Sequence, residues 1–225
     1  RHDYQTGIFG TDLNRNYGYQ WGFDDFGSSP DSTSEVFRGQ SGFSEPETQI
    51  IRDFCNTHQF KLALNYHTFS NLLINPWGYI DNFYTPDSAL FENYGEMITR
   101  YNNYSSGTGN QTVGYLVNGG SDDWMYGEQG SKPKIMSFTP EIGSGDDGFW
   151  PQQSRIIPLC QENMYANLTT ARLAGRYGVA KDKTDRYLSS TSGYFKFDLT
   201  LLGLDTTGSF TVSIDPANAA VAAIG

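Results

Sequence analysis

Three loops and strand ends in this chain gather side chains that could do chemistry. The densest is Gly10-Thr11-Asp12-Leu13-Asn14-Arg15-Asn16-Tyr17, which sets an Asp, two Asn and an Arg around a single apolar residue. That pattern fits neither a helix face nor a strand, so it reads as a loop presenting polar heads. A planar guanidinium beside carboxamides is the arrangement that grips a carboxylate bidentately. A polar turn closed by its own Asx hydrogen bonds is the plainer alternative. Farther along, Phe138-Thr139-Pro140-Glu141 carries a carboxylate at the end of an apolar run. Partial burial there would lift its pKa toward the range a general base needs. His67 stands at the end of another such run, Phe60-Lys61-Leu62-Ala63-Leu64-Asn65-Tyr66. The carboxyl ends of strands are where open α/β sheets place their chemistry, although a lone imidazole there also suits a purely structural role.

The elements that must position these groups follow from periodicity and punctuation. Residues 1–43 are rich in Gly, Asp, Ser and Asn and are expected to be mostly loop. Ser44-Glu45-Pro46-Glu47 has the form of a capping box, and Ile50, Ile51, Phe54 and Cys55 recur at helical spacing until about His58. Phe60–Tyr66 and Leu72–Ile74 read as strands. Thr85-Pro86 opens a second helix with Leu90, Tyr94, Met97, Ile98 and Tyr101 on its apolar side. A Gly/Ser/Asn-rich loop covers about 105–110, a short helix starts at Ser121, and Ile135–Phe138 is a buried strand ending in Glu141. Pro140 cannot donate to a sheet, so that strand is expected to stop one residue early. A long helix is expected from Pro158 to about Arg176, with Leu159, Met164, Leu168 and Leu173 inward. Residues 178–192 read as a linker, and 193–225 as the start of an all-β module whose hairpin pairs Tyr194–Leu201 with Ser209–Ile214.

Whole-chain numbers narrow the function classes. At 225 residues the chain has room for one large domain or for one domain and part of another. A net charge of −10 repels a phosphate backbone, which excludes a nucleic-acid partner. No run of about 18 apolar residues occurs, so no membrane span is expected. Cys55 and Cys160 are too few and too far apart for a disulfide scaffold or a zinc finger, and both read as small buried hydrophobes.

In order, the stretches Gly10–Tyr17, Phe43-Ser44-Glu45-Pro46-Glu47, His67-Thr68-Phe69-Ser70, Pro76-Trp77-Gly78-Tyr79, Gly119–Trp124 and Phe138–Glu141 resemble the zinc metallocarboxypeptidases of the carboxypeptidase A and B family. The resemblance covers roughly residues 8–176. It implies an α/β fold with a mixed, mostly parallel sheet flanked by helices, here incomplete, over residues 1–177. It also implies removal of the last residue of a peptide. Asn14 and Arg15 would hold the terminal carboxylate, Tyr115 would close over it, Glu141 would shuttle the proton, and His67 would be one ligand of Zn2+. Asp122, two residues before Trp124, would lie at the bottom of the pocket for the departing side chain, where a carboxylate favours Lys or Arg. Capping of a short helix by Asp122-Asp123 is the competing account.

The family takes its other two zinc ligands from an His-x-x-Glu segment upstream of the Asn-Arg-Asn loop. None of the three histidines here, His2, His58 and His67, is followed by Glu three residues on. These residues are therefore expected to be the carboxyl-terminal half of a catalytic domain, inactive alone, from a monomeric protein secreted or periplasmic and acting on peptide or protein C-termini. Two other classes stay open: a non-catalytic relative that binds peptide tails, against which Glu141 speaks, and an amidase on the same scaffold. A carboxylate-pair glycosidase would leave the order of Arg15, His67 and Glu141 without a reason.

Overall fold

The structure, a computed structural model, describes residues 2–3, 8–184 and 194–213. It divides into two units, Arg1–Gly175 and Arg176–Gly225. In the first, strands β1 (His2–Asp3) and β2 (Ile8–Phe9) pair antiparallel, and a 3-10 turn over Leu13–Arg15 follows. Then come α1 (Pro46–Thr57), β3 (Leu62–Leu64), β4 (Leu72–Asn75), α2 (Ser88–Ile98), β5 (Ser105–Thr108) and α3 (Gly109–Thr112). The unit closes with α4 (Ser121–Gly127), β6 (Met136–Glu141), α5 (Gln153–Glu162) and α6 (Met164–Ala174). Four strands form a mixed sheet in the order β3-β6-β4-β5, with β3–β6 and β4–β5 parallel and β4–β6 antiparallel.

β6 is central and all six of its residues are buried, as expected for a strand covered on both faces. Its alternation sorts the layers. Phe138 points to the face where α2 and α6 pack, with its ring 5.2 Å from Phe91, which in turn lies 5.2 Å from Tyr126. Ser137 and Thr139 point the other way, and both hydroxyls donate to Asp122 of α4, at 2.7 Å to its carbonyl and 3.3 Å to its carboxylate. Beside α4 a second apolar cluster joins Tyr17, Cys55, Trp124, Met125 and Ile135. Lys132 is 4% exposed in this region. Its ammonium donates to the carbonyls of Met125 at 2.6 Å and Glu128 at 2.8 Å, and sits 4.7 Å from the Trp124 ring. Burial pushes its pKa down to about 8.

Several local expectations are corrected. Helix α1 is capped at Glu45, without a side-chain cap bond, because the Ser44 hydroxyl is engaged by Asn16 at 2.9 Å. Helix α2 starts two residues later than Pro86 would place it, after a turn in which Ser88 N–H donates to Thr85 O. Residues 105–108 are the edge strand β5 rather than loop; an edge strand tolerates a Ser-Ser-Gly-Thr sequence that has no apolar alternation. β6 runs through Pro140 to Glu141, since the Pro140 carbonyl still accepts from His67 N–H at 2.8 Å. The long C-terminal helix is two helices, with Pro158 inside α5 and a break at Asn163. Met164 and Leu168 are exposed, whereas Leu159 and Leu173 are buried. Both cysteines are free; Cys55 is buried but Cys160 is exposed.

In the second unit, β7 (Gly178–Asp182) pairs antiparallel with β8 (Phe197–Leu201). The start of the expected linker is thus a strand, and β8 takes its partner from upstream. Residues 209–213 are irregular, and Ile214 lies outside the described residues. A two-stranded ribbon has solvent on both faces, so the charged and small residues of 178–182 do not prevent pairing.

Within the first unit, Asn16, fully buried, ties the loop before α1 to the start of that helix. Its amide group donates to the carbonyls of Arg38 and Ser41 and to the Ser44 hydroxyl, and its oxygen accepts from Glu45 N–H and the Thr48 hydroxyl. Replacing it strands several buried groups, each costing about 1–3 kcal/mol. Asn16→Ala should therefore lower unfolding free energy by about 3 kcal/mol or more, measured by urea denaturation.

Candidate active site

The local chain path explains how a loop can aim a guanidinium inward. The Asp12 carboxylate accepts from Asn14 N–H at 2.9 Å and so caps the 3-10 turn. Asn14 Oδ1 accepts from Ser121 N–H at 2.9 Å, which docks the turn on the first residue of α4. Gly119 is the hinge of that contact: its φ is +71°, and an added Cβ would lie 2.5 Å from the Arg15 carbonyl oxygen. Only glycine satisfies both conditions at no cost.

Asn14, Arg15, His67, Tyr115, Asp122 and Glu141 all line one cavity of about 140 Å³. Arg15 is 8% exposed. Its Nη1 donates to the Asn14 carbonyl at 3.0 Å and lies 3.5 Å from Asp12, and its buried Nε has no hydrogen-bond partner among the described residues. Leaving such a donor unmade costs on the order of 1–3 kcal/mol, so an oxygen-bearing ligand has a ready counterpart there. Tyr115, 54% exposed, forms the outer wall. Asp12 and Thr139 also line the cavity and were not among the residues singled out from sequence. The signal for Asp12 was its place two residues before Asn14, the spacing of an Asx turn.

Burial dominates the electrostatics. Glu141 is pushed up to about 7, first by desolvation and then by the charge of Asp122. Asp122 is itself raised by burial, with its own N–H contacts and His67 opposing. Asp123, fully buried, is raised by burial and by Asp122 against three bonds from the N–H groups of Gly78 and Tyr79. Burial lowers His67 and favours the neutral imidazole, the form able to ligate a metal. Its Nδ1 lies 3.8 Å from Glu141 Oε1, and the two residues bridge as neighbours at the end of β3 and β6.

A catalytic zinc takes three protein ligands and leaves one position open. Among the described residues no group of three His, Cys, Asp or Glu could hold a metal. The donor set on this chain, one neutral imidazole beside a carboxylate, therefore does not make a zinc site by itself.

A sequence profile of the zinc carboxypeptidases matches residues 1–166. Carboxypeptidase B of Astacus astacus is 32% identical over 166 residues, 69% of this chain and 52% of its own. Bovine thrombin-activatable fibrinolysis inhibitor, solved in complex with tick carboxypeptidase inhibitor, superposes with a TM-score of 0.63 at 32% identity, covering 72% of this chain and 56% of that one. Carboxypeptidase A from Helicoverpa armigera gives a TM-score of 0.64 at 26% identity over 76% of this chain and 44% of that one. The chain thus spans about half the length of these relatives.

Because the Asp122 charge helps to hold Glu141 high, Asp122→Asn should lower the Glu141 pKa, which carboxyl-carbon NMR titration would read directly. A raised acid favours the folded state below its unfolded pKa and loses that contribution as pH rises through the folded value. Glu141→Gln should accordingly raise the melting temperature more at pH 8 than at pH 4.

Proposed function

We propose that this chain, which belongs to the zinc carboxypeptidase family, supplies the part of a carboxypeptidase active site that holds the peptide tail and moves the proton. The observation that carries this is the Arg15 guanidinium, buried with an unpartnered Nε in the cavity that also holds Glu141. A terminal carboxylate placed against Arg15, and against Asn14 Nδ2, which has no partner among the described residues, would answer those donors. Tyr115 is exposed enough to fold over the same group. Glu141, near half-protonated at neutral pH, can take a proton from the attacking water and return it to the departing amine.

Asp122 gives the pocket its side-chain preference on this reading. A cationic Lys or Arg would repair the cost of burying that carboxylate, whereas an apolar side chain would leave it unpaired. The substrates are then peptides and proteins ending in Lys or Arg, and the setting is extracellular or periplasmic.

The family's zinc would need, beside His67, ligands that the described residues do not supply; when bound it would polarise the scissile carbonyl and acidify the water. Two features support additional polypeptide. β3 ends the sheet without an outer partner among the described residues. Helices near it also expose large apolar side chains, Ile50 and Phe54 on α1 and Ile157 and Leu168 on α5 and α6.

In the intact protein, stoichiometric zinc should be present. Peptides ending in Lys or Arg should be trimmed faster than those ending in Phe or Leu, and C-terminally amidated peptides should resist. Arg15→Met should raise KM by about 10- to 100-fold, the loss of a charge-assisted pair. Equal cleavage of amidated peptides would overturn the reading; a preference for Phe would remove Asp122 from the pocket.

A further inference from the structure

A cavity larger than the one holding Arg15 lies elsewhere in the first unit. A groove of about 560 Å³ lies between α2 and β5, bounded also by α3. Along α2 it is lined by Ser88, Glu92 and Glu96, which fall on one stripe at successive i, i+4 positions. Ser106 and Gln111 face them from the other side. No Lys, Arg or His lines the groove, and neither glutamate has an ion pair or hydrogen bond among the described residues. The helix and strand are held close by Gly95, where an added Cβ would lie 2.3 Å from the Ser106 hydroxyl. β5 is the last strand of the sheet and has no outer strand partner among the described residues, although Thr108 N–H and its carbonyl are already bonded to the Gln111 and Thr112 side chains.

We propose that this groove is a second binding site, for an extended segment of polypeptide carrying basic residues two positions apart. The match is one of both charge and length. Positions i and i+4 on a helix are separated by about 6 Å along its axis. In an extended chain, residues i and i+2 project to the same side about 6.6 Å apart. Two cationic side chains in an Arg-x-Arg register therefore meet Glu92 and Glu96 together, while adjacent arginines point to opposite sides and present only one. The hydroxyl groups of Ser88 and Ser106 suit the polar backbone of such a segment, while the Gln111 amide is held by Thr108 N–H and the Tyr84 hydroxyl. Nothing in this assignment depends on how the Arg15 cavity functions.

The test uses the intact protein and short peptides blocked at both ends, so that no free carboxylate competes for Arg15. Acetyl-Gly-Arg-Ser-Arg-Gly-amide should bind at low salt by calorimetry, shift the backbone amide signals of Ser106 and Gln111, and weaken as salt rises. The isomer with adjacent arginines should bind at least about 3-fold more weakly, and a serine-only peptide not detectably. Glu92→Gln with Glu96→Gln, both exposed and so harmless to folding, should reduce affinity at least about 5-fold. Equal binding of the two arginine isomers, unchanged affinity in the double variant, or binding of calcium or magnesium with no binding of the peptide would each overturn the proposal.

Discussion

The buried side chain of Asn16 is the junction on which the loops before α1 and the start of α1 meet. One amide is asked to close the loop that ends at Ser41, to receive the first turn of α1, and to hold the residue beside it with its guanidinium turned inward. A buried carboxamide has two donor hydrogens and an oxygen with two lone pairs; here the amide serves the 38–44 stretch and the oxygen serves the start of α1. The geometry of Arg15 is thus fixed from behind. A loop that carries binding groups needs such backing, because its own main chain makes few regular hydrogen bonds.

A second theme is the company of acids that share the cavity. Asp12 lies 3.5 Å from Arg15, while Asp122 and Glu141 are both lifted by loss of water and the charge of Asp122 lifts Glu141 further. Charge brought to one of them is felt by the other. Because Asp122 raises Glu141, a cation placed beside Asp122 would leave Glu141 more readily ionised.

How much of this could be read in the chain depends on which force fixes each part. The runs that became β3, β4 and β6 are legible because burial on both faces demands continuous apolar sequence, and the loop over Asp12–Asn16 is legible because its composition suits nothing regular. Short-range signals fared worse where a distant partner outbid them. Ser44 has the form of a cap, but its hydroxyl is taken by Asn16, 28 positions away. β5 has no pattern of its own and exists because β4 lies beside it. The break at Asn163 depends on that side chain donating to Tyr104 Oη and to the Leu159 carbonyl, a tertiary fact. At the site, residue types announced Arg15 and Glu141; that Asp12 and Thr139 share their cavity needed the fold.

The buried ammonium of Lys132 gives the molecule an unusual relation to alkali. In the unfolded chain that amine would keep its proton to about pH 10.5, while in the fold it gives it up near 8. Between those values the unfolded chain binds the extra proton, so base favours the folded form. Tyr17, Tyr104 and Tyr126, held protonated to about 12 by their buried surroundings, act in the opposite sense once the unfolded phenols ionise near 10. Among these four groups the balance improves as pH rises from about 8 and is most favourable near pH 10, before the unfolded phenols ionise.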